Sequence, residues 1–224
     1  MKLIVIEGLD GAGKQTQTNM LASWLQSKGK SVKMLDFPNY SSPTGNIIKM
    51  YLNGDFGEDA MAVNPYFIST LYALDRATTL IKHDCDAGTH ADKRLADYDY
   101  LIVDRYVTSN FIYQATKLPE GERTKFINWA SDFEYKKLEL PQPDCVLFLD
   151  VDPEITRALR ENRGNKHGGG DIHESDNNYL QNCYDVAKKC CDDLGWKAVE
   201  CCENNKILPP DTIFDKILDA LAEN

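Results

Sequence analysis

Residues 2–16 read Lys2-Leu3-Ile4-Val5-Ile6-Glu7-Gly8-Leu9-Asp10-Gly11-Ala12-Gly13-Lys14-Gln15-Thr16. The run Lys2–Ile6, rich in β-branched residues, has the composition of a buried strand. It passes straight into a glycine-rich turn. A helical pattern follows, with Met20, Leu21, Trp24 and Leu25 forming one apolar stripe. Glycines let a backbone wrap an anion so that amide hydrogens and the start of the next helix face it. Lys14 adds a point charge at the far end of such an anion. Gly8, Leu9, Asp10, Gly11, Ala12, Gly13, Lys14, Gln15 and Thr16 are therefore expected to cradle a polyphosphate. A glycine-rich turn without a ligand is the alternative. The strict form of the pattern places Ser or Thr directly after the lysine; here Gln15 intervenes and Thr16 follows, leaving the hydroxyl ligand for a magnesium ion open.

Working outward, four more short runs read as buried strands: Ser31–Phe37, Tyr100–Asp104, Cys145–Asp150 and Lys197–Cys201. Helical pattern separates each from the next, which is the order of a parallel sheet covered on both faces. Phe126, Ile127, Ala130, Phe133 and Leu138 mark one amphipathic helix. Ile213, Phe214, Ile217, Leu218 and Leu221 mark the last, which starts after Pro209-Pro210-Asp211. Together with the phosphate loop this predicts an α/β chain of the P-loop NTPase fold, with five parallel strands. The 224 residues read as one domain, 1–224. Asn162 to Ser175 holds four glycines and almost nothing apolar, and reads as a mobile loop.

The formal net charge is −10, from 25 basic and 35 acidic residues. Such a surface repels a polyanion at long range, so nucleic acid is not an expected partner. An anionic substrate has to be captured by locally concentrated cations. No segment reaches the roughly 18 apolar residues of a membrane span, and the apolar start is too short for a signal peptide. A cytoplasmic setting is expected. The seven cysteines then read as reduced, mostly packed thiols, and the adjacent pairs Cys190-Cys191 and Cys201-Cys202 lack metal-site spacing.

Asp104 closes an apolar strand, at the carboxyl edge where open α/β sheets bind ligands. A carboxylate there can hold magnesium, and a helix-capping role is the alternative. Arg105 beside it offers a fork suited to phosphate. Arg157, Arg160 and Arg163 recur every three residues ahead of the glycine-rich loop, in a chain that is otherwise acidic. A solvated basic face is one reading of them. The other is a lid whose arginines close over phosphates.

A phosphate loop alone does not separate a kinase from an ATPase or GTPase switch. Four further segments do: Phe37-Pro38-Asn39-Tyr40, Leu71-Tyr72-Ala73-Leu74-Asp75-Arg76, Asp104-Arg105-Tyr106-Val107-Thr108-Ser109-Asn110-Phe111-Ile112-Tyr113, and Asp171-Ile172-His173-Glu174. In this order and at these intervals, the chain resembles the bacterial thymidylate kinases over nearly its whole length. The resemblance implies transfer of a phosphoryl group from ATP to thymidine monophosphate with Mg²⁺, a flexible LID at about 157–175, and a homodimer. It also implies roles. Arg105 binds the acceptor phosphate, with Tyr40 and, through magnesium, Asp10. Tyr72 stacks on the base, Arg76 and Asn110 contact it, and Tyr113 crowds the ribose 2′ position. Asp10 and Asp104 serve the metal, and Arg163 is the catalytic lid arginine, with Arg157 and Arg160 on ATP. Phe37 lines the base pocket, while Asp171 and Glu174 order the lid. By periodicity alone Tyr72 and Tyr113 read as core residues. Some family members carry arginine where Tyr40 and Gly11 stand here. Another nucleoside monophosphate or deoxynucleoside kinase, or a P-loop switch, is the rival reading.

Overall fold

The computed structural model describes residues 1–57, 59, 61–86, 93–162 and 177–222. Its frame is one five-stranded parallel sheet in the order β2-β3-β1-β4-β5. The strands are β1 (Lys2–Glu7), β2 (Val32–Asp36), β3 (Tyr100–Asp104), β4 (Cys145–Asp150) and β5 (Lys197–Glu200). All five expected strands are present, with ends shifted by one residue at β1, β2 and β5. A two-stranded antiparallel hairpin, β6 (Cys202–Glu203) with β7 (Lys206–Ile207), was not anticipated. Two residues per strand give too little periodicity to read.

β1 lies at the centre, with every residue from Leu3 to Glu7 buried between its two neighbours. Val5 faces Val103 of β3 on one side and Val146 of β4 on the other. Side chains alternate across the pleat, so one face carries Leu3, Val5, Leu101, Val103, Val146 and Phe148, and the other Ile4, Ile6, Ile102, Leu147 and Leu149. The first face is covered by α3 (Pro65–Asp86), α5 (Glu120–Ser131) and α7 (Asn177–Leu194). The second is covered by α1 (Lys14–Ser27) and α8 (Pro210–Ala222). Each such Leu or Ile taken fully out of water contributes about 1.5–3 kcal/mol. The remaining α-helices among the described residues are α2 (Pro43–Leu52), the short α4 (Val107–Ser109) and α6 (Pro153–Asn162). Among the described residues no helix is long and apolar enough to cross a membrane.

Two stretches depart from the 3.6-residue period. Asn110–Gln114, directly after α4, and Asp132–Lys137, directly after α5, are wound as π-helix. Such turns rotate the following side chains relative to an α-helix, and both lie beside the cavity described next.

Candidate active site

β1 and β3 are neighbours, so their carboxyl ends release Gly8–Gly13 and Arg105–Asn110 side by side. Gly11 (φ 94°) and Gly13 (φ 90°) adopt the left-handed backbone that makes the loop turn back over the strand. Gly13 caps α1, whose first turn contains no acidic side chain to compete for an anion. The Lys14 ammonium is buried inside the loop, donating to the carbonyls of Gly8 (3.0 Å) and Leu9 (3.1 Å), with Asp10 at 3.8 Å. Burial lowers its pKa and Arg105 pushes the same way, against Asp10, Asp104 and Glu7.

Arg105 is itself left-handed (φ 64°), an uncommon conformation for a residue with a Cβ. Its Nη2 donates to Asp10 Oδ1 at 2.6 Å and to the Tyr113 hydroxyl at 3.2 Å, and its guanidinium lies 4.9 Å from the Tyr113 ring centroid. Burial works against the Arg105 cation, but Asp10, then Tyr113, Glu7 and Asp104, outweigh it and raise its pKa. Burial raises the Asp104 carboxyl, with Lys14 and Arg105 opposing.

Two cavities meet here. One, of about 460 Å³, is polar and lined by Asp10, Gly11, Gly13, Lys14, Gln15 and Thr16 with Asp36 and Asp104. The other, of about 410 Å³, is lined by the rings of Phe37, Tyr40, Tyr72, Tyr106 and Tyr113 together with Arg76, Asn110 and Gln114. Asp10, Phe37, Pro38, Tyr40 and Arg105 line both. An apolar slot with a few polar groups thus opens onto a phosphate-sized basin, with one guanidinium at the junction. Gly8, Leu9 and Ala12 build the loop, and the Leu9 and Ala12 side chains pack into the interior.

The walls are tied together by buried carboxylates that the sequence reading did not single out. Glu7 accepts from the hydroxyls of Thr108 (2.7 Å) and Ser109 (2.8 Å) and from the Tyr106 amide (3.3 Å), fixing α4 to β1. Burial raises its pKa, against Arg105 and these hydroxyls. Asp75 accepts from the Asn39 amide (2.7 Å) and the Ser42 and Thr44 hydroxyls (2.8 Å each), clamping the Phe37–Tyr40 segment to α3. Glu134 receives the Arg76 fork through Nε and Nη2, each at 2.7 Å, and Asn110 Nδ2 at 2.9 Å. Arg76 is therefore no loose cation reaching for a ligand; it is 2% exposed and mostly committed. Among the described residues the buried Gln114 Oε1 has no hydrogen-bond partner, on the same cavity.

Arg157 is exposed on α6 and lines neither cavity. The side chain of Arg160, and Arg163, Asp171 and Glu174 entirely, lie outside the described residues, as does most of the expected LID at 157–175. Asp10, Asp36 and Asp104 supply hard carboxylate oxygens in the polar cavity, the chemistry magnesium prefers. Among the described residues no cluster of three or more metal-ligating side chains occurs. A magnesium ion carried largely by phosphates needs only one or two protein carboxylates, so the residues present fit it.

A family model described as Thymidylate kinase matches residues 6–208. The thymidylate kinase of Mycobacterium tuberculosis is 37% identical over 169 residues, covering 75% of this chain and 74% of that one. That of Prochlorococcus marinus is 27% identical over 227 residues, covering 100% and 96%. The solved thymidylate kinase of Candida albicans superposes with a TM-score of 0.69 at 21% identity, covering 100% of this chain and 92% of its own; at that identity the likeness concerns the fold.

Proposed function

The chain belongs to the thymidylate kinase family and transfers a phosphoryl group from ATP to thymidine monophosphate, and from this premise we propose that the aromatic cavity takes the thymidine monophosphate, the polar cavity the ATP phosphates, and Arg105 the acceptor phosphate between them. The observation that carries this assignment is the meeting of the two cavities at Asp10 and Arg105. An acceptor phosphate with a second pKa near 6 is largely dianionic at pH 7, so no general base is needed. The work is alignment and neutralisation of charge. Lys14 leaves the Gly8 and Leu9 carbonyls for the phosphates, which offer it a full negative charge in place of two dipoles. Arg105 releases part of its bond to Asp10 to grip the acceptor. Asp10 and Asp104 would hold magnesium, which when bound neutralises phosphate charge.

Tyr72 supplies the stacking face, and Tyr113 crowds the sugar where a 2′-hydroxyl would sit. A panel of monophosphates with ATP and magnesium, scored by ADP release, tests the reading. Thymidine monophosphate is expected to be fastest and deoxyuridine monophosphate slower. The ribose form of the thymine nucleotide should be slower too, with Tyr113→Ala narrowing that gap. AMP or GMP turning over faster than thymidine monophosphate would sink the acceptor assignment.

A homodimer is the proposed assembly. Phe67, Leu74 and Ile81, at 48%, 46% and 63% exposure, recur every seven residues along α3, and Ile47 and Met50 of the adjoining α2 are exposed too. A heptad stripe of this kind suits a self-complementary helix contact about a two-fold axis. Ile81→Glu should shift sedimentation from dimer to monomer, and a wild-type monomer at micromolar concentration would refute the proposal.

A further inference from the structure

We propose that Glu134 decides which pyrimidine the enzyme accepts, by fixing the polarity that Asn110 and Arg76 present to the aromatic cavity; this rests on that cavity being the thymidine monophosphate site. Glu134 is 1% exposed and sits at the start of the π-helical stretch Asp132–Lys137. A carboxylate only accepts hydrogen bonds. The Asn110 amide can therefore turn only its nitrogen to Glu134, at 2.9 Å, and its oxygen is left for the cavity it lines. Arg76 spends Nε and Nη2 on the same carboxylate and gives Nη1 to the Tyr106 carbonyl at 3.3 Å. What remains for a ligand is an acceptor from Asn110 beside donor hydrogens from Arg76.

Thymine presents the matching pair, an N3–H donor next to the O4 acceptor. Cytosine presents the reverse, a bare N3 acceptor next to an N4 amino donor. In this cavity cytosine meets acceptor with acceptor and donor with donor, and each buried polar group left unpaired is costly. Nothing in Asn110 itself enforces the choice, because an amide rotated by half a turn would present its NH₂ to cytosine N3 and leave only the Arg76 mismatch. The carboxylate behind it forbids that rotation. Glu134 is thus a positioning residue, acting through Asn110 and Arg76.

The test is Glu134→Gln, whose amide both donates and accepts and so no longer dictates the Asn110 orientation. The quantity read is the ratio of kcat/KM for thymidine monophosphate to that for deoxycytidine monophosphate. It is expected to fall at least roughly tenfold from the wild-type value, as one hydrogen-bond mismatch is relieved, with KM for ATP changed less than about twofold. Equal losses for both acceptors, leaving the ratio in place, would show that Glu134 only holds the fold and would overturn the proposal. Should the variant not fold with Arg76 unpaired, the wild-type enzyme crystallised with thymidine monophosphate decides. Asn110 Nδ2 on Glu134 with Oδ1 within hydrogen-bonding distance of N3 supports the proposal, and Glu134 turned away from Asn110 overturns it. A wild-type enzyme without preference for the thymine nucleotide, or with that nucleotide bound elsewhere, would instead refute the site reading beneath it.

Discussion

Lys14→Ala is expected to lower kcat by at least about a hundredfold while leaving the chain folded. In the free protein the ammonium bridges two loop carbonyls, at 3.0 and 3.1 Å, deep in the polar cavity. Among the described residues no other lysine lines that cavity. In the proposed assignment it meets the charge that spreads over the transferring phosphoryl, and losing one such transition-state contact typically costs about 10²–10³ in rate. Folding should persist because the substitution removes a desolvated cation, and its nearest carboxylate, Asp10, is 40% exposed and keeps its bond to Arg105. Steady-state kinetics and circular dichroism on the same sample check both halves. A variant that keeps more than about a tenth of wild-type turnover contradicts the role.

Arg105→Ala is expected to lower kcat/KM for thymidine monophosphate by at least about a hundredfold, chiefly through KM. Two effects add. The acceptor phosphate loses a charge-assisted partner, of the kind roughly twice as strong as a neutral hydrogen bond. Asp10, now 2.6 Å from that guanidinium, is left facing an incoming dianion. Arg105→Lys should recover little, because a lysine cannot span the Asp10 and Tyr113 oxygens and the phosphate from one planar fork. Initial-rate kinetics with each nucleotide varied in turn separates the sites. KM for thymidine monophosphate within about threefold of wild type would move the acceptor phosphate elsewhere.

The sheet was legible because its signal is local. Apolar runs of four to six residues, punctuated by glycine loops and helical stripes, admit few arrangements other than a parallel sheet. The phosphate loop was legible for the same reason: strand, glycines, Lys14 and helix are contiguous, and the backbone geometry follows from them. Asp104 and Arg105 were expected from their position after a buried strand, and both line the polar cavity. Tyr72, Arg76, Asn110 and Tyr113 were legible through family resemblance, since their periodicity alone reads as core. Arg157 on α6 lines neither cavity among the described residues, and its choice between a basic face and a lid residue stays where the sequence left it.

Composition and order along the chain thus determined the fold class, the phosphate loop and the reaction family. The tertiary structure alone decided how the aromatic cavity is held. Glu134 stands in Asp132-Phe133-Glu134-Tyr135-Lys136-Lys137, where the helical stripe of Phe133 and Leu138 gives no sign that a carboxylate is buried. The π-helical winding there rotates it inward, into contact with Arg76 and Asn110, 58 and 24 residues away. Glu7 and Asp75 stand inside the quoted segments, yet nothing there assigned them a role. A buried carboxylate is tolerable only with its donors around it, and those donors come from distant segments that meet once the chain has folded.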